Sequence, residues 1–174
     1  GLPFSPRGRL ILVAGVLMVA VLVPQLRRYR WLPSPGVRAG SLVSEWEKVR
    51  ERDYLRVGED LQRHAGGDAV VAGPEIGALG YAYGGPVLDT VGLVTPVARE
   101  YYPLPREMVA GNSAIPPDLI AEAKPDFVVF LEIFGRKGLL RDPRFQRDYR
   151  LWRVYPSRTF GARGLLVYAR RTTL

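Results

Sequence analysis

The chain is 174 residues long, 47% hydrophobic and formally +8 at neutral pH. That length holds one domain plus an appendage, and the apolar content is enough for a real core. With no cysteine and a single histidine, disulfide frameworks, thiolate chemistry and cysteine metal sites are excluded, and most hydrolytic side-chain sets have no members.

The charge is unevenly placed. Residues 1–40 carry +6, residues 41–100 carry −4 and residues 101–174 carry +6. Of 25 basic residues 22 are arginine, a bias better assigned to genomic composition than to function. Excess positive charge that flanks one apolar segment and fills the C-terminal third suits an anionic membrane surface at least as well as nucleic acid. The chain opens on Gly1 rather than methionine, as a processed or excised piece of a longer protein would.

Leu10 to Val23 is an unbroken apolar run, extended by Pro24-Gln25-Leu26 to 17 residues before Arg27. At 1.5 Å per residue that reaches roughly 25 Å, just under the hydrocarbon core of a bilayer. A secretory signal fits the length, but no clear small-residue cleavage site follows. A buried core helix conflicts with arginines on both flanks. The preferred reading is a transmembrane helix with basic flanks over residues 1–30. Four arginines after the segment against two before it place the following domain in the cytoplasm by the positive-inside count.

A Pro/Gly linker, residues 31–43, begins with an interfacial-looking Trp31, and the α/β domain is expected over 44–174. Ser44-Glu45-Trp46-Glu47 reads as a capping box starting a helix to about Ala65. Tyr54, Val57, Leu61 and Ala65 form its apolar face, with Leu42, Trp46 and Val49 as an earlier offset stripe. Glu59 and Arg63 are placed for an i,i+4 pair. His64 reads as a solvated residue near the helix end.

Ala69 to Ala72 is a short strand, Glu75 to Tyr83 a short apolar helix, and a second strand ends on Asp89. Two strands joined by a helical crossover favour a parallel sheet. Thr95 to Tyr102 reads as a short helix with Thr95 as cap and Pro96 at its first position. Pro117 to Ala123 reads as another, Asp126 to Glu132 as a buried strand, and Phe134 to Arg141 as a loop. Asp142-Pro143 opens a further helix. Tyr149–Tyr155 and Leu165–Arg170 close the chain as an antiparallel edge pair.

The glycines after the first strand resemble a dinucleotide cradle, but Gly73, Gly77 and Gly80 have the wrong spacing. Glu75 also stands where a pyrophosphate needs a bare helix N-terminus; a carboxylate there complements the helix dipole and its free N–H groups instead. Asp89 reads as a structural acceptor for N–H groups of the following turn, with Gly92 supplying unusual dihedrals. The alternative is a ligand-facing carboxylate at a strand end, on the same side of the sheet as Glu132. Arg144, Arg147, Arg150 and Arg153 interleave with aromatics. That mixture suits a single-strand-binding groove, a surface on lipid headgroups, or a strand pair with a solvated outer face.

Several short motifs carry a family resemblance. They are Tyr54-Leu55, Leu61-Gln62-Arg63-His64, Ala69-Val70-Val71-Ala72, Glu75-Ile76-Gly77-Ala78, Gly80-Tyr81 and Pro86-Val87-Leu88-Asp89. Gly92-Leu93-Val94 with Pro96, Lys124-Pro125-Asp126-Phe127-Val128-Val129 and Tyr149-Arg150 complete the set. Together they resemble the C-terminal extracytoplasmic part of bacterial GT-C-type glycosyltransferases, similar to the dolichyl-phosphate-mannose and aminoarabinose transferases. The resemblance implies that Leu10–Leu26 is the last span of a multi-span membrane enzyme. It places the domain outside the cytoplasm, against the arginine count, and names a polyprenyl-phosphate-linked sugar as donor. The family's catalytic acids lie in an early loop, so no catalytic residue is carried over.

The resulting expectation is an α/β domain with a mostly parallel central sheet flanked by helices and an antiparallel C-terminal edge, preceded by one transmembrane helix. Its partners are the lipid bilayer and, through a parent enzyme, a lipid-linked sugar. No nucleic acid, cofactor or metal is expected. A membrane-anchored binding module and a nucleotide-using α/β enzyme are the alternatives.

Overall fold

The computed structural model describes residues 12, 15–23, 45–110 and 113–173, with the side chains of 45–48 left aside. The chain divides into two units after Glu45. In the first, α1 is helical over residues 15–23. Val16, Leu17, Met18, Val19 and Val21 are each at least 60% exposed. Among the described residues no helix is long and apolar enough to cross a membrane. The remainder of the expected Leu10–Leu26 span, the linker over 31–43 and the Ser44 cap lie outside the described residues.

The second unit is built on a five-stranded sheet of order β2-β1-β3-β5-β4. Its strands are β1 (Val71–Gly73), β2 (Val87–Asp89), β3 (Phe127–Leu131), β4 (Tyr149–Tyr155) and β5 (Leu165–Arg170). β1 pairs in parallel with β2 and β3, whereas β5 runs antiparallel to both β3 and β4. The sheet is therefore evenly mixed rather than mostly parallel. Only the first three strands are joined by crossovers, and β5 returns from β4 to insert beside β3. β4 and β5 are antiparallel, their connection over residues 156–164 being shorter than a parallel crossover needs.

β3 is buried along its whole length, because it is central and both faces are covered. Alternation along β3 sends Phe127 and Phe130 to opposite faces. On the Phe127 side lie α2 (Glu45–Ala65) and α3 (Ile76–Tyr83). His64 of α2 meets Phe127 edge-on at 6.2 Å, and Tyr54, Val57 and Leu61 are buried at 0–2% exposure, the face their spacing predicted. On the Phe130 side lies α6 (Pro143–Asp148), whose Phe145 ring is 6.5 Å from Phe130 and 4.9 Å from Tyr168. α4 (Pro117–Ala123) packs beside α6. Asp142 caps α6 by accepting the Arg144 N–H at 2.8 Å and the Phe145 N–H at 3.3 Å.

Local differences from the expectations have identifiable causes. Arg63 pairs with Asp60 rather than Glu59, because Asp60 also anchors Arg153 and the Tyr155 hydroxyl from β4. Val49 is exposed. Residues Pro96–Tyr101 wind as a 3₁₀ helix, and Thr95 accepts the Asp89 N–H at 3.0 Å instead of capping it. The expected loop 134–141 contains the end of the short helix α5 (Glu132–Gly135) and a 3₁₀ turn at Leu139–Arg141. β3 starts one residue late because the Asp126 carboxylate accepts the Val70 N–H, Arg170 and Thr173 at 2.7–3.0 Å.

Candidate functional site

The chain leaves β1 towards α3 on one face of the sheet, and leaves β2 towards α4 on the other before entering β3. The loops following β1 and β3 therefore part from each other at the carboxyl ends of adjacent parallel strands. Such topological switch points open crevices in α/β sheets. A cleft of about 480 Å³ lies there, with Pro74 and Glu75 after β1 and Ile133 and Phe134 after β3. Val91, Ser113, Arg50 of α2 and Phe160 from the β4–β5 loop complete it.

Glu75 precedes α3 but its side chain does not cap that helix. The expected dipole cap is replaced by an ion pair: Arg50 Nη1 lies 3.1 Å from Glu75 Oε1. Glu75 Oε2 is buried near the Tyr54 hydroxyl, and among the described residues neither atom has a hydrogen-bond partner of normal geometry. Burial first, then the neighbouring Glu75 charge, push the Tyr54 hydroxyl well above its usual range.

Asp89 ends β2 fully buried. Its carboxylate accepts the N–H groups of Val91 and Val94, each at 2.9 Å, and that of Leu93. Gly92 holds φ +89, and a Cβ there would meet Arg99 Cγ at 2.5 Å, so both dihedral and space demand glycine. The Tyr102 hydroxyl lies within hydrogen-bond distance of the Thr90 and Ala114 carbonyls, and burial with the Asp89 charge pushes it up to about 12.

Glu132 follows β3 at the same end of the sheet. It receives Arg136 Nε at 2.9 Å, Arg136 Nη2 at 2.6 Å and the Arg163 N–H at 3.3 Å. The Arg136 hydrogen bonds hold its carboxyl below the usual range, against the opposing effect of burial. β1 separates β2 from β3, and the register sets Asp89 level with Gly73 and Val129, so Glu132 lies two strands over and three residues further along. Both carboxylates are occupied by intramolecular bonds, so the end of the sheet does not present two free carboxylates for acid/base work.

The arginine run does not form one surface. Arg144 and Arg147 stand with α6, Arg144 paired to Asp142 and Asp118 and Arg147 to Asp148. Arg150 and Arg153 pair in register with Ala169 and Val167, which puts them on the opposite, α2-bearing face. A register irregularity at Trp152 makes this possible. Arg153 bonds Asp60 at 3.1 Å and lies over the Trp152 ring, which itself stacks on His64 at 4.7 Å. Three of the four guanidinium groups are thus matched by carboxylates.

Sequence reasoning reached Glu75, Asp89 and Glu132 but missed Arg50, Phe134 and Phe160 as walls of one cleft. The Pro74-Glu75 turn and the Phe134-Gly135 break were visible; only the strand order brings them together. Among the described residues no group of three His, Asp or Glu could hold a metal ion.

Fold and cleft together define an α/β domain with a crevice at a topological switch point. Residues 41–172 match the family described as Domain of unknown function (DUF8728), and the chain belongs to that family. No curated protein and no solved structure matches the chain.

Proposed function

We propose that this chain is the C-terminal extracytoplasmic cap of a bacterial membrane-embedded glycosyltransferase that uses a polyprenyl-phosphate-linked sugar. The cap performs no chemistry and shapes substrate access through the switch-point cleft. One observation carries the non-catalytic reading: the strand-end carboxylates Asp89 and Glu132 are held by backbone N–H groups and Arg136, and Glu75, the carboxylate that lines the cleft, is paired with Arg50. Among the described residues, what faces the cleft is an aromatic and aliphatic wall with the Arg50–Glu75 ion pair, a lining that orients a ligand. The motif residues behind the resemblance support the assignment by position: Glu75, Asp89 and Gly92-Leu93-Val94 all build the cleft end of the sheet. The exposed apolar α1 supports the membrane anchor.

The test is kinetic, on the protein expressed with its upstream reading frame. Phe134→Ala is expected to raise KM for the acceptor or donor several-fold while kcat stays within about twofold, because uniform binding is lost. A collapse of kcat at unchanged KM would overturn the non-catalytic role. A reading frame without further hydrophobic spans upstream would overturn the parent enzyme itself.

A further inference from the structure

Exposed apolar side chains gather at the cleft end of the sheet. Leu93 is 83% exposed, and Val94 and Val97 follow it in the loop after β2. Phe160, 44% exposed, and Val49 lie on the α2 side of the same end, where Val49, Arg158 and Phe160 line a shared hollow. Phe160 holds φ +55, a conformation bulky residues rarely adopt, and its ring leans on Phe134 at 6.1 Å beneath the Arg50 guanidinium at 5.8 Å, so that only its outer part reaches the rim. Neither exposed loop carries an acid: residues 90–99 and 156–164 contain Arg99, Arg158 and Arg163 and no Asp or Glu.

Chain connectivity points the same way. Arg50 reaches Glu75 after β1, while His64 meets Phe127 at the start of β3. α2 therefore runs opposite to the parallel strands, and its first turn lies at the cleft end. The domain's own first helix thus begins at the end carrying the apolar rim. The arginines expected to face a membrane, Arg144 and Arg147, stand near the start of β4 at the other end of the sheet, matched by carboxylates.

We infer that the cleft rim formed by Leu93, Val94, Val97, Phe160 and Val49 docks on the surface of an anionic lipid bilayer. The apolar side chains enter the headgroup boundary and Arg158 and Arg163 meet lipid phosphates. The cleft then opens at the membrane surface, where a lipid-borne ligand is presented. This inference rests on the membrane anchor of the proposed function and is independent of sugar transfer.

The absence of cysteine allows the full chain to be labelled one site at a time. Leu93→Cys, Val97→Cys and Phe160→Cys report the rim, Tyr81→Cys and Arg147→Cys report surfaces away from it, and Val19→Cys reports the anchor. The variants carry an environment-sensitive fluorophore in phosphatidylcholine–phosphatidylglycerol vesicles with a quencher on the acyl chains. Rim labels are expected to shift blue and lose about twofold or more of their emission, with labels at 81 and 147 unchanged. Added salt and Arg158→Gln with Arg163→Gln should weaken the effect. Quenching at Val19 without quenching at Leu93 and Val97 overturns docking and leaves the anchor standing. No quenching at any site overturns both. Equal quenching at rim and control sites, or a blue shift at the rim without quenching, also overturns it, the latter because the occupant is then protein rather than lipid.

Discussion

Gly58 of α2 abuts the backbone of α3 at Leu79: a Cβ built on Gly58 would lie 2.6 Å from the Leu79 carbonyl oxygen and 2.7 Å from Ala82 Cβ. The two helices covering one face of the sheet can approach this closely only because position 58 has no side chain. Glycine inside a helix ordinarily costs about 1 kcal/mol relative to alanine, so an exposed site would gain from the exchange. Here Gly58→Ala is expected to destabilise the domain by about 1–3 kcal/mol, because the opposing atom is backbone and one helix must shift. Chemical denaturation read by circular dichroism tests this, and a stabilised variant would show that α2 and α3 separate without loss.

Asp89 makes a comparable demand at the end of β2. Fully buried, it gathers the Val91, Leu93 and Val94 amides on one carboxylate. Asp89→Asn turns part of that acceptor into a donor facing N–H groups, and a loss of about 2–4 kcal/mol is expected. Amide exchange at residues 91–94 should accelerate before that of β3. Wild-type protection in the variant would mean that Gly92 and Thr95 hold the turn alone.

The pattern of residues made the local elements legible, and long-range order was where it failed. Tyr54, Val57 and Leu61 announced the buried face of α2 because helical periodicity is a local property. Pro117–Ala123 and Tyr149–Tyr155 likewise carried their own boundaries. The strand order did not, since nothing in Leu165–Arg170 says that it inserts between β3 and β4 rather than lying outside them. That one placement changes a mostly parallel sheet into an evenly mixed one. The candidate site was legible as single residues, Glu75, Asp89 and Glu132, and not as a cleft, because Arg50 and Phe160 reach it from elements over 100 residues apart in sequence. Arg150 and Arg153 look alike in sequence to Arg144 and Arg147 and end on the other face, Arg153 joining Arg150 there only because of the Trp152 irregularity.

Glu132 supplies a pH-dependent term. Its folded carboxyl titrates below the ordinary glutamate range because Arg136 donates two close hydrogen bonds. A carboxyl depressed in the folded state contributes stability above its unfolded value of about 4.3 and loses it as pH falls through the lower folded value. Glu132→Gln is therefore expected to lower stability by about 1–3 kcal/mol at neutral pH, with the gap to wild type closing below about pH 4. Denaturation midpoints across that range test the sign. A gap that widens on acidification would place the linkage elsewhere.

Asp60 ties α2 to the edge strand. Its carboxylate takes the Tyr155 hydroxyl, Arg63 and Arg153. The Tyr155 hydrogen bond comes first among the causes that hold its carboxyl below the usual aspartate range, with burial opposing. Tyr155 is buried while Arg153 is half exposed, so the hydroxyl contributes more than the solvent-screened guanidinium. Tyr155→Phe is expected to cost about 1–2 kcal/mol, Arg153→Gln less than about 1 kcal/mol. In a double-mutant cycle with Asp60→Asn, the coupling should concentrate on Tyr155. Coupling confined to Arg153 would mean that β4 is held by surface charge, and its stability would then fall steeply with added salt.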